Sequence, residues 1–233
     1  MKNTMATIVL CLFSVLTVKA QQEVQVKTLE PQLTDVWTIM TEMGIHAYRF
    51  ELTSFLNKVY EVKFHIDEYQ HGELVKSSKK KANMGKNILS ITDFPEKSRG
   101  LFHEHFHLPA GVDSVALIKE ASIYIIQSDS TAKVVFNIPQ ARKSSYILKL
   151  QKLPSLKEVL YDTRIFKQVP VKQEGSLRIP LLFYGSNWYD EKFNVFRFCG
   201  ERELEPDLTG DIPAKSPHYY VISMELKEVK PSK

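Results

Sequence analysis

Alternation of apolar and polar residues is the main pattern in this chain. Apolar side chains recur at every second position in residues 60–66, 177–183 and 220–226. A period of two separates the side chains onto the two faces of a β-strand. In the last segment Val221 is the single apolar exception on the polar face. These segments predict strands with one buried face.

Shorter apolar runs predict further strands between clusters of turn residues. They cover residues 48–52, 88–91, 122–126, 133–138, 146–150 and 193–199. Many short strands separated by turns are typical of sandwiches and barrels, whereas βαβ folds alternate strands with long helices. We therefore predict an all-β, mainly antiparallel, β-sandwich-like domain of about eight to ten strands.

One or two short helices complete the predicted elements. Leu33, Val36 and Met40 have helical spacing before Gly44. A capping box, formed by Ser155 and Glu158, predicts a second helix over residues 156–161. Each helix would have two or three turns.

The first twenty residues have the organisation of a cleavable signal peptide. Lys2 precedes a mostly apolar run over residues 6–18, and Ala20 lies two positions after Val18. A small residue at this position fits cleavage after Ala20. The run is shorter than the roughly 18 continuous apolar residues of a transmembrane helix. The sequence therefore predicts a protein that is secreted or periplasmic after cleavage, without a transmembrane segment.

Residues 21–233 are expected to form one β-sandwich-like domain. Two small sandwiches that divide near residues 139–144 are the alternative. Loss of Lys2 and Lys19 with the signal peptide lowers the formal net charge from +4 to +2, which is too small for a nucleic-acid-binding protein. Cys199 is then the one cysteine left, so no internal disulfide can form. Its place in an aromatic segment predicts a buried, unreactive thiol.

Known catalytic and nucleotide-binding motifs are absent from the sequence. The chain contains nine glycines, too few to suggest phosphate-binding loops. We therefore expect no cofactor. The main basic run, residues 79–81, is interpreted as an exposed hairpin loop; attraction of anionic glycans or lipid headgroups is the alternative.

Histidines supply the candidates for chemistry. His103, His105 and His107 would share one face of an extended segment and could bind Zn²⁺ or Cu²⁺. Residues two apart on a strand lie about 6.6 Å apart and diverge, so an exposed loop is the preferred interpretation and no bound metal is expected. His65 lies beside Asp67 on a polar strand face, where a hydrolase could keep an acid–base pair. A solvated sheet face gives the same pattern.

Residues 184–190 are the best candidate for a binding surface. Aromatic rings with amide and carboxylate neighbours suit stacking on sugars or contact with a protein partner. The alternative is that Trp188 closes one end of the sandwich. The candidate ligand-binding residues are Tyr184, Asn187, Trp188, Tyr189 and Asp190.

Two blocks, residues 196–201 and 216–221, carry a resemblance to a known group of proteins. With the signal peptide and the strand at residues 60–69, they resemble uncharacterised secreted proteins from gut-type Bacteroidetes that contain a domain of unknown function. The resemblance implies an envelope or extracellular setting and brings no functional residues.

The function itself stays unknown at this point, and two hypotheses are open. The preferred one is a secreted, non-catalytic binding or structural module whose partner is a glycan or an envelope protein. The alternative is a hydrolase or metalloprotein in which folding brings His65 or His103 near a carboxylate.

Signal-peptide cleavage can be tested directly. The purified exported protein should begin at Gln21, either free or cyclised to pyroglutamate, because signal peptidase cleaves after small residues such as Ala20. Intact mass spectrometry measures this. An exported protein that retains residues 1–20 would contradict the prediction.

Overall fold

The computed structural model describes residue 30 and residues 32–139, 141–152, 159–173 and 175–229. The chain forms two compact units, residues 1–36 and residues 37–233. The first unit is described only at residue 30 and residues 32–36. The predicted signal peptide and capping box therefore lie outside the described residues.

The smaller of the two main sheets has four antiparallel strands. Their order across the sheet is β1, β7, β8, β9. The bounds are β1 Ile45–Glu51, β7 Glu120–Gln127, β8 Thr131–Ile138 and β9 Arg142–Lys149. Hairpins join β7 to β8 and β8 to β9, and Ile138 pairs with Arg142 beside the second turn. The segment suggested as a domain boundary thus contains a hairpin turn.

The larger sheet runs in the order β14, β10, β11, β15, β2, β3, and β4 also pairs with β2. Its strands are β2 Tyr60–Gln70, β3 Glu73–Leu74, β4 Lys80–Lys86, β10 Tyr161–Phe166, β11 Ser176–Ser186, β14 Glu203–Leu204 and β15 His218–Glu228. All pairs are antiparallel except β10 with β14. The two sheets approach at both sides: Tyr146 of β9 donates to the Lys81 carbonyl of β4, and Tyr48 of β1 bonds Thr163 of β10.

Two further pairs of short strands, three α-helices and the short 3₁₀ helices Thr53–Phe55, Lys76–Ser78 and Ile91–Asp93 complete the described fold. The pairs are β5 Ile88–Ser90 with β6 Ser114–Ala116 and β12 Trp188–Asp190 with β13 Val195–Arg197. The helices are α1 Leu33–Glu42, α2 Glu96–His105 and α3 Asp211–Lys215. Within the described part of the chain, no helix combines the length and apolar content needed to span a membrane.

A bulge in β11 decides which side chains of that strand face the main core. Pro180 pairs with Ser223 and Leu182 pairs with Ile222, so Leu181 is an extra residue. Proline has no N–H for the ladder and is found at such irregularities. Beyond the bulge the alternation is inverted, and Tyr184 enters the main core. The expectation that Phe183 shares a face with Leu177 and Ile179 is therefore wrong.

The main core lies between the two sheets. Phe64 of β2 stacks on Phe136 of β8, with ring centroids 4.6 Å apart and planes 5° from parallel. Both rings are fully buried, and each comes from an interior strand of a different sheet. Burial of a large aromatic side chain contributes about 1.5–3 kcal/mol. This pair therefore joins the two layers of the sandwich.

A second, smaller core covers the other face of β11 and β15. Phe183, Tyr219 and Val221 pack there against Phe198. The Phe183 ring lies over Gly185, where an added Cβ would be 2.3 Å from the ring. Buried on both faces, these strand ends are apolar at consecutive positions. Val221, the exception in the alternating pattern, belongs to this second core.

The predicted β-sandwich-like fold is confirmed. Nine of the fifteen described strands have six residues or more. The lysine run was interpreted wrongly as a loop, because Lys80 and Lys81 begin β4 and pair with β2. Lysine on an edge strand discourages pairing with another sheet.

The predicted strand at residues 193–199 is shorter than expected, because β13 ends at Arg197. Cys199 lies beyond it and is exposed. The prediction of a buried thiol is therefore wrong.

Trp188 and Tyr189 allow a matched test of the second core. The Trp188 ring is half-buried, 6.2 Å from the Phe198 ring, whereas Tyr189 is 44% exposed. Trp188→Ala should lower the free energy of unfolding by roughly 1–3 kcal/mol, less than the 3–5 kcal/mol typical of a fully buried aromatic. Tyr189→Ala should cost less than about 1 kcal/mol. Denaturant unfolding measures both; equal losses would contradict the difference in packing.

Candidate functional site

An open cleft lies at one end of the sandwich, where strands of both sheets begin or end. Its volume is about 640 Å³, within the range of about 300–1,000 Å³ that is usual for small-molecule sites. The walls come from four parts of the chain: residues 41–46 before and within β1, residues 127–129 after β7, residues 159–162 at the start of β10, and Asn187 after β11.

Hydrogen bonds from the main core fix the walls of this cleft. The buried Tyr184 hydroxyl donates to Gln127 Oε1 at 2.7 Å, and Gln127 Nε2 donates to the Val159 carbonyl at 2.9 Å. The Asn187 amide donates to the Leu160 carbonyl at 3.0 Å. These side-chain and backbone hydrogen bonds join the parts of the cleft wall that come from β7, β10 and β11.

Gly44 is required where β1 enters the cleft wall. Its φ of +71° is in the left-handed region, which side chains other than glycine rarely adopt. An added Cβ would also lie 2.9 Å from the Gln127 Cβ. The Gly44 carbonyl accepts the Gln127 amide at 2.8 Å. The backbones at Gly44 and Gln127 therefore lie close together.

The ionisable side chains of the cleft are mostly acidic. Glu42, Asp129 and Asp162 line it together with His46, and the described lining contains no lysine or arginine. Asp162 also contacts Arg164, with 3.3 Å between Oδ2 and NH1. Burial lowers the pKa of His46, and the negative charge of Asp162 partly opposes that shift. Near neutral pH the cleft therefore presents carboxylates and a neutral imidazole.

Asn187 contributes a hydrogen-bond acceptor that the protein does not use. Its side-chain Oδ1 is buried and has no partner within the described part of the chain. A buried polar atom without a partner costs about 1–3 kcal/mol, so such atoms are rare in folded proteins. Asn187 lines the cleft, although this oxygen itself is closed to solvent in the free protein.

A buried chain of hydrogen bonds supports the wall at Tyr161. The Tyr161 hydroxyl lies 2.5 Å from His218 Nδ1 and accepts the Gln151 amide at 3.0 Å. His218 Nε2 lies 3.0 Å from Glu68 Oε1, and Ser78 donates to the other carboxylate oxygen. The series Ser78, Glu68, His218 and Tyr161 is named the relay below.

Burial sets the charge states within the relay. It lowers the pKa of His218, which is 1% exposed, although the nearby Glu68 opposes this shift. For Glu68, burial acts to raise the pKa, but hydrogen bonds with Ser78 and His218 outweigh it and leave the pKa below its usual value. Burial also raises the pKa of Tyr161 strongly. At neutral pH the relay therefore contains a carboxylate, a neutral imidazole and a protonated phenol.

His65, the candidate acid–base residue, does pair with a carboxylate. Its Nε2 lies 2.6 Å from Glu225 Oε2 on the outer face of the larger sheet, and Ser176 donates to Glu225 Oε1 at 3.3 Å. The carboxylate thus lies between hydroxyl and imidazole, as it also does in the relay. In a nucleophilic triad the imidazole lies between the other two groups and takes the hydroxyl proton. The His65 cluster does not have that order. The relay has it only with Tyr161 as the hydroxyl, because His218 lies between Glu68 and the Tyr161 phenol, whose pKa burial raises.

The histidine-rich segment is helical, not extended. His103 and His105 lie in α2, and His107 follows it with a φ of +49°. Residues two apart on a helix are about 200° apart around its axis, so His103 and His105 point to different sides. The alternative that the three imidazoles share one strand face is therefore wrong, and so is the preferred interpretation of His103 and His105 as part of an exposed loop. Within the described residues, no three His, Cys, Asp or Glu side chains are grouped to hold a metal ion.

The signal for this helix was present in the sequence. Pro95 directly precedes the helix, and Glu96 begins its first turn, where an acidic side chain is favoured by the helix dipole. Phe102 and Phe106 are four residues apart and pack with ring centroids 6.4 Å apart. Phe94 adds a third ring 4.2 Å from Phe102.

The predicted ligand-binding residues separate in the structure. Tyr184 is fully buried beneath the cleft, Asn187 lines it, and Trp188 packs in the second core. Tyr189 is exposed, and its hydroxyl donates to Asn194. Asp190 forms an ion pair with Arg197 at 3.3 Å. Asn187 is therefore the residue that connects the predicted set with the cleft.

Comparison with known proteins gives a family without an assigned function. No curated protein and no solved structure matches the chain. A family model described as a domain of unknown function, DUF5041, matches residues 15–228. The match covers nearly all of the chain, which therefore belongs to the DUF5041 family.

Proposed function

We propose that this protein is an exported binding domain whose end cleft holds a small ligand rich in hydroxyl groups, such as a sugar. The observation that carries the proposal is the buried Asn187 Oδ1, an acceptor without a partner in the wall of the cleft. If the Asn187 side chain turns towards the cleft on binding, a ligand hydroxyl that donates to this oxygen would remove the cost of leaving it unpaired. The protein itself supplies no hydrogen-bond donor to this oxygen within the described residues, and a ligand could supply one.

The chemistry of the cleft agrees with a ligand that donates hydrogen bonds. Glu42, Asp129 and Asp162 are acceptors when ionised, and the Val159 and Leu160 carbonyls lie in the same wall. Hydroxyl groups satisfy such acceptors without bringing a charge into the cleft. The walls are fixed before binding by the bonds of Gln127 and Tyr184, which reduces the entropy cost of association.

Location and origin belong to the same proposal. The predicted signal peptide at residues 1–20 supports export, and the resemblance to secreted proteins of gut-type Bacteroidetes supports a role in the envelope or outside the cell. Glycans are abundant ligands in that setting. We extend the proposed contact surface from Asn187 to the exposed ring of Tyr189 and to Asp190, for ligands longer than one sugar residue.

Asn187→Ala separates binding from folding. We expect the free energy of unfolding to stay unchanged or to rise by up to about 1 kcal/mol, because the change removes a buried acceptor that has no partner. Affinity for the bound sugar should fall about threefold to tenfold, the effect of one hydrogen bond. Thermal-shift screening of wild type against free monosaccharides and oligosaccharides selects the probe, and titration calorimetry measures both proteins.

Two glutamates provide the matched control. Glu42→Gln changes a side chain that lines the cleft, whereas Glu191→Gln changes an exposed glutamate in the turn after β12. The first should weaken binding of the same sugar and the second should leave it unchanged. If no sugar binds wild type, or if Asn187→Ala binds as tightly as wild type, the proposal fails.

A further inference from the structure

The relay connects the centre of the larger sheet with the wall of the cleft. Glu68 lies on β2, His218 begins β15, and Tyr161 begins β10 and lines the cleft. The Tyr161 ring packs on Tyr184, with centroids 5.2 Å apart, and Tyr184 holds Gln127 across the cleft. A change in the protonation of His218 can therefore affect the cleft directly at Tyr161 and, through Tyr184, at Gln127.

At neutral pH every proton in the relay has a defined place. The phenol of Tyr161 is protonated, so it donates to His218 Nδ1 while its oxygen accepts the Gln151 amide. The neutral His218 then carries its hydrogen on Nε2 and donates it to the Glu68 carboxylate. One hydrogen bond thus fixes the tautomer needed for the next.

Protonation of His218 breaks this order at one point. Both imidazole nitrogens are donors in the charged ring, so Nδ1 can no longer accept the Tyr161 hydroxyl. His218 Nδ1 is the acceptor that the described residues offer to this hydroxyl, which is buried with its ring. The bond between Nε2 and Glu68 meanwhile becomes an ion pair and persists. The charged Nδ1 instead donates to the Tyr161 oxygen, which already accepts the Gln151 amide, and the buried Tyr161 hydroxyl loses its acceptor while the anchor on β2 remains.

The groups around His218 allow the imidazole to titrate alone. They are Glu68 on β2, Tyr161 on β10, Ser186 on β11 and Tyr220 on β15, and Lys80 of β4 acts on Glu68. Tyr220 donates to the Lys149 carbonyl, and burial raises its pKa, so it stays neutral. Glu68 is the one ionised group among those in contact with the ring.

We infer that protonation of His218 loosens the cleft wall at Tyr161, so that the cleft holds its ligand near neutral pH and releases it in acid. The release of ligand rests on the function proposed above; the loosening of the wall does not. Glu68 and His218 are in this view positioning residues, since they act on the cleft through Tyr161.

The sign of the pH dependence follows from burial. The pKa of His218 is lowered in the folded protein, so the bond to Tyr161 is intact above the usual histidine value of about 6.5. The Tyr161 hydroxyl loses this acceptor as the pH falls through the lowered pKa of His218. The pKa of Glu68 is also lowered from its usual value. The cleft wall should therefore loosen as the pH falls and His218 takes up a proton.

Amide hydrogen exchange on the free protein tests the inference without a ligand. Between about pH 7.5 and about pH 5, protection of the Gln151 and Asn187 amides should fall about threefold to tenfold after correction for intrinsic exchange, as expected when one hydrogen bond is lost. The Leu52 amide, which bonds the Lys119 carbonyl elsewhere in the sandwich, should not change. A histidine NMR titration should show His218 charging over the same pH range.

Variants separate the relay from other titrating groups. Tyr161→Phe removes the hydroxyl but keeps the ring, and His218→Gln cannot take up a proton; in both, the pH dependence of exchange at Asn187 should disappear. His46→Gln removes the histidine that lines the cleft and should leave the pH dependence of exchange at Asn187 unchanged. If both relay variants fail to fold, the coincidence of the His218 titration with Gln151 exchange in wild type decides the question. Unchanged protection while His218 titrates, or equal pH dependence in wild type and Tyr161→Phe, overturns the inference.

The outcome is independent of the proposed function. If exchange depends on His218 but no sugar binds, the pH response stands and the sugar proposal fails. If a sugar binds with the same affinity at both pH values while exchange changes, the wall moves but does not control binding, and the inference of ligand release is overturned. If neither changes with pH, the sugar proposal stands alone.

Discussion

The extra residue in β11 is the constraint on which the rest of the structure depends. Because Leu181 has no partner on β15, the strand turns its faces over between Pro180 and Leu182. Tyr184 then faces the main core and reaches Gln127, and Phe183 faces the second core. A shift of one residue moves every following side chain to the other face. Both the cleft wall and the second core therefore depend on this bulge.

Burial on both faces of β11 and β15 also explains where the polar groups lie. The second core covers the outer face only at the strand ends near Phe183 and Tyr219, so Glu225 and His65 farther along keep a polar outer face. His218 lies where the two environments meet, and it is 1% exposed. A buried imidazole needs partners for both nitrogens. Glu68 and Tyr161 satisfy them, and this requirement links β2 to β10.

Strands with a regular alternation of apolar and polar residues can be predicted from the sequence, whereas strands that depend on tertiary contacts cannot. The strands β2 and β15 contain the alternating segments 60–66 and 220–226, so both are predicted from the sequence. The sequence pattern does not predict β10, because the capping box places its first residue, Tyr161, at the end of a helix. The strand β4 was missed because three consecutive lysines resemble a loop, and only pairing with β2 makes them an edge. Pro180 is a local sign of an irregularity in β11, but it does not show that Leu181 is the extra residue.

The cleft was beyond sequence reasoning for a related reason. Its walls come from segments that are 15 residues or more apart in the chain, and of the predicted contact residues Asn187 alone lines it. The same folding step that hides Tyr184 and half-buries Trp188 leaves Asn187 Oδ1 without a partner. Stability alone would favour an apolar residue at such a position, since the unpaired oxygen is a cost. An unpaired acceptor on a residue that lines a preformed cleft supports the proposal that the cleft binds a ligand.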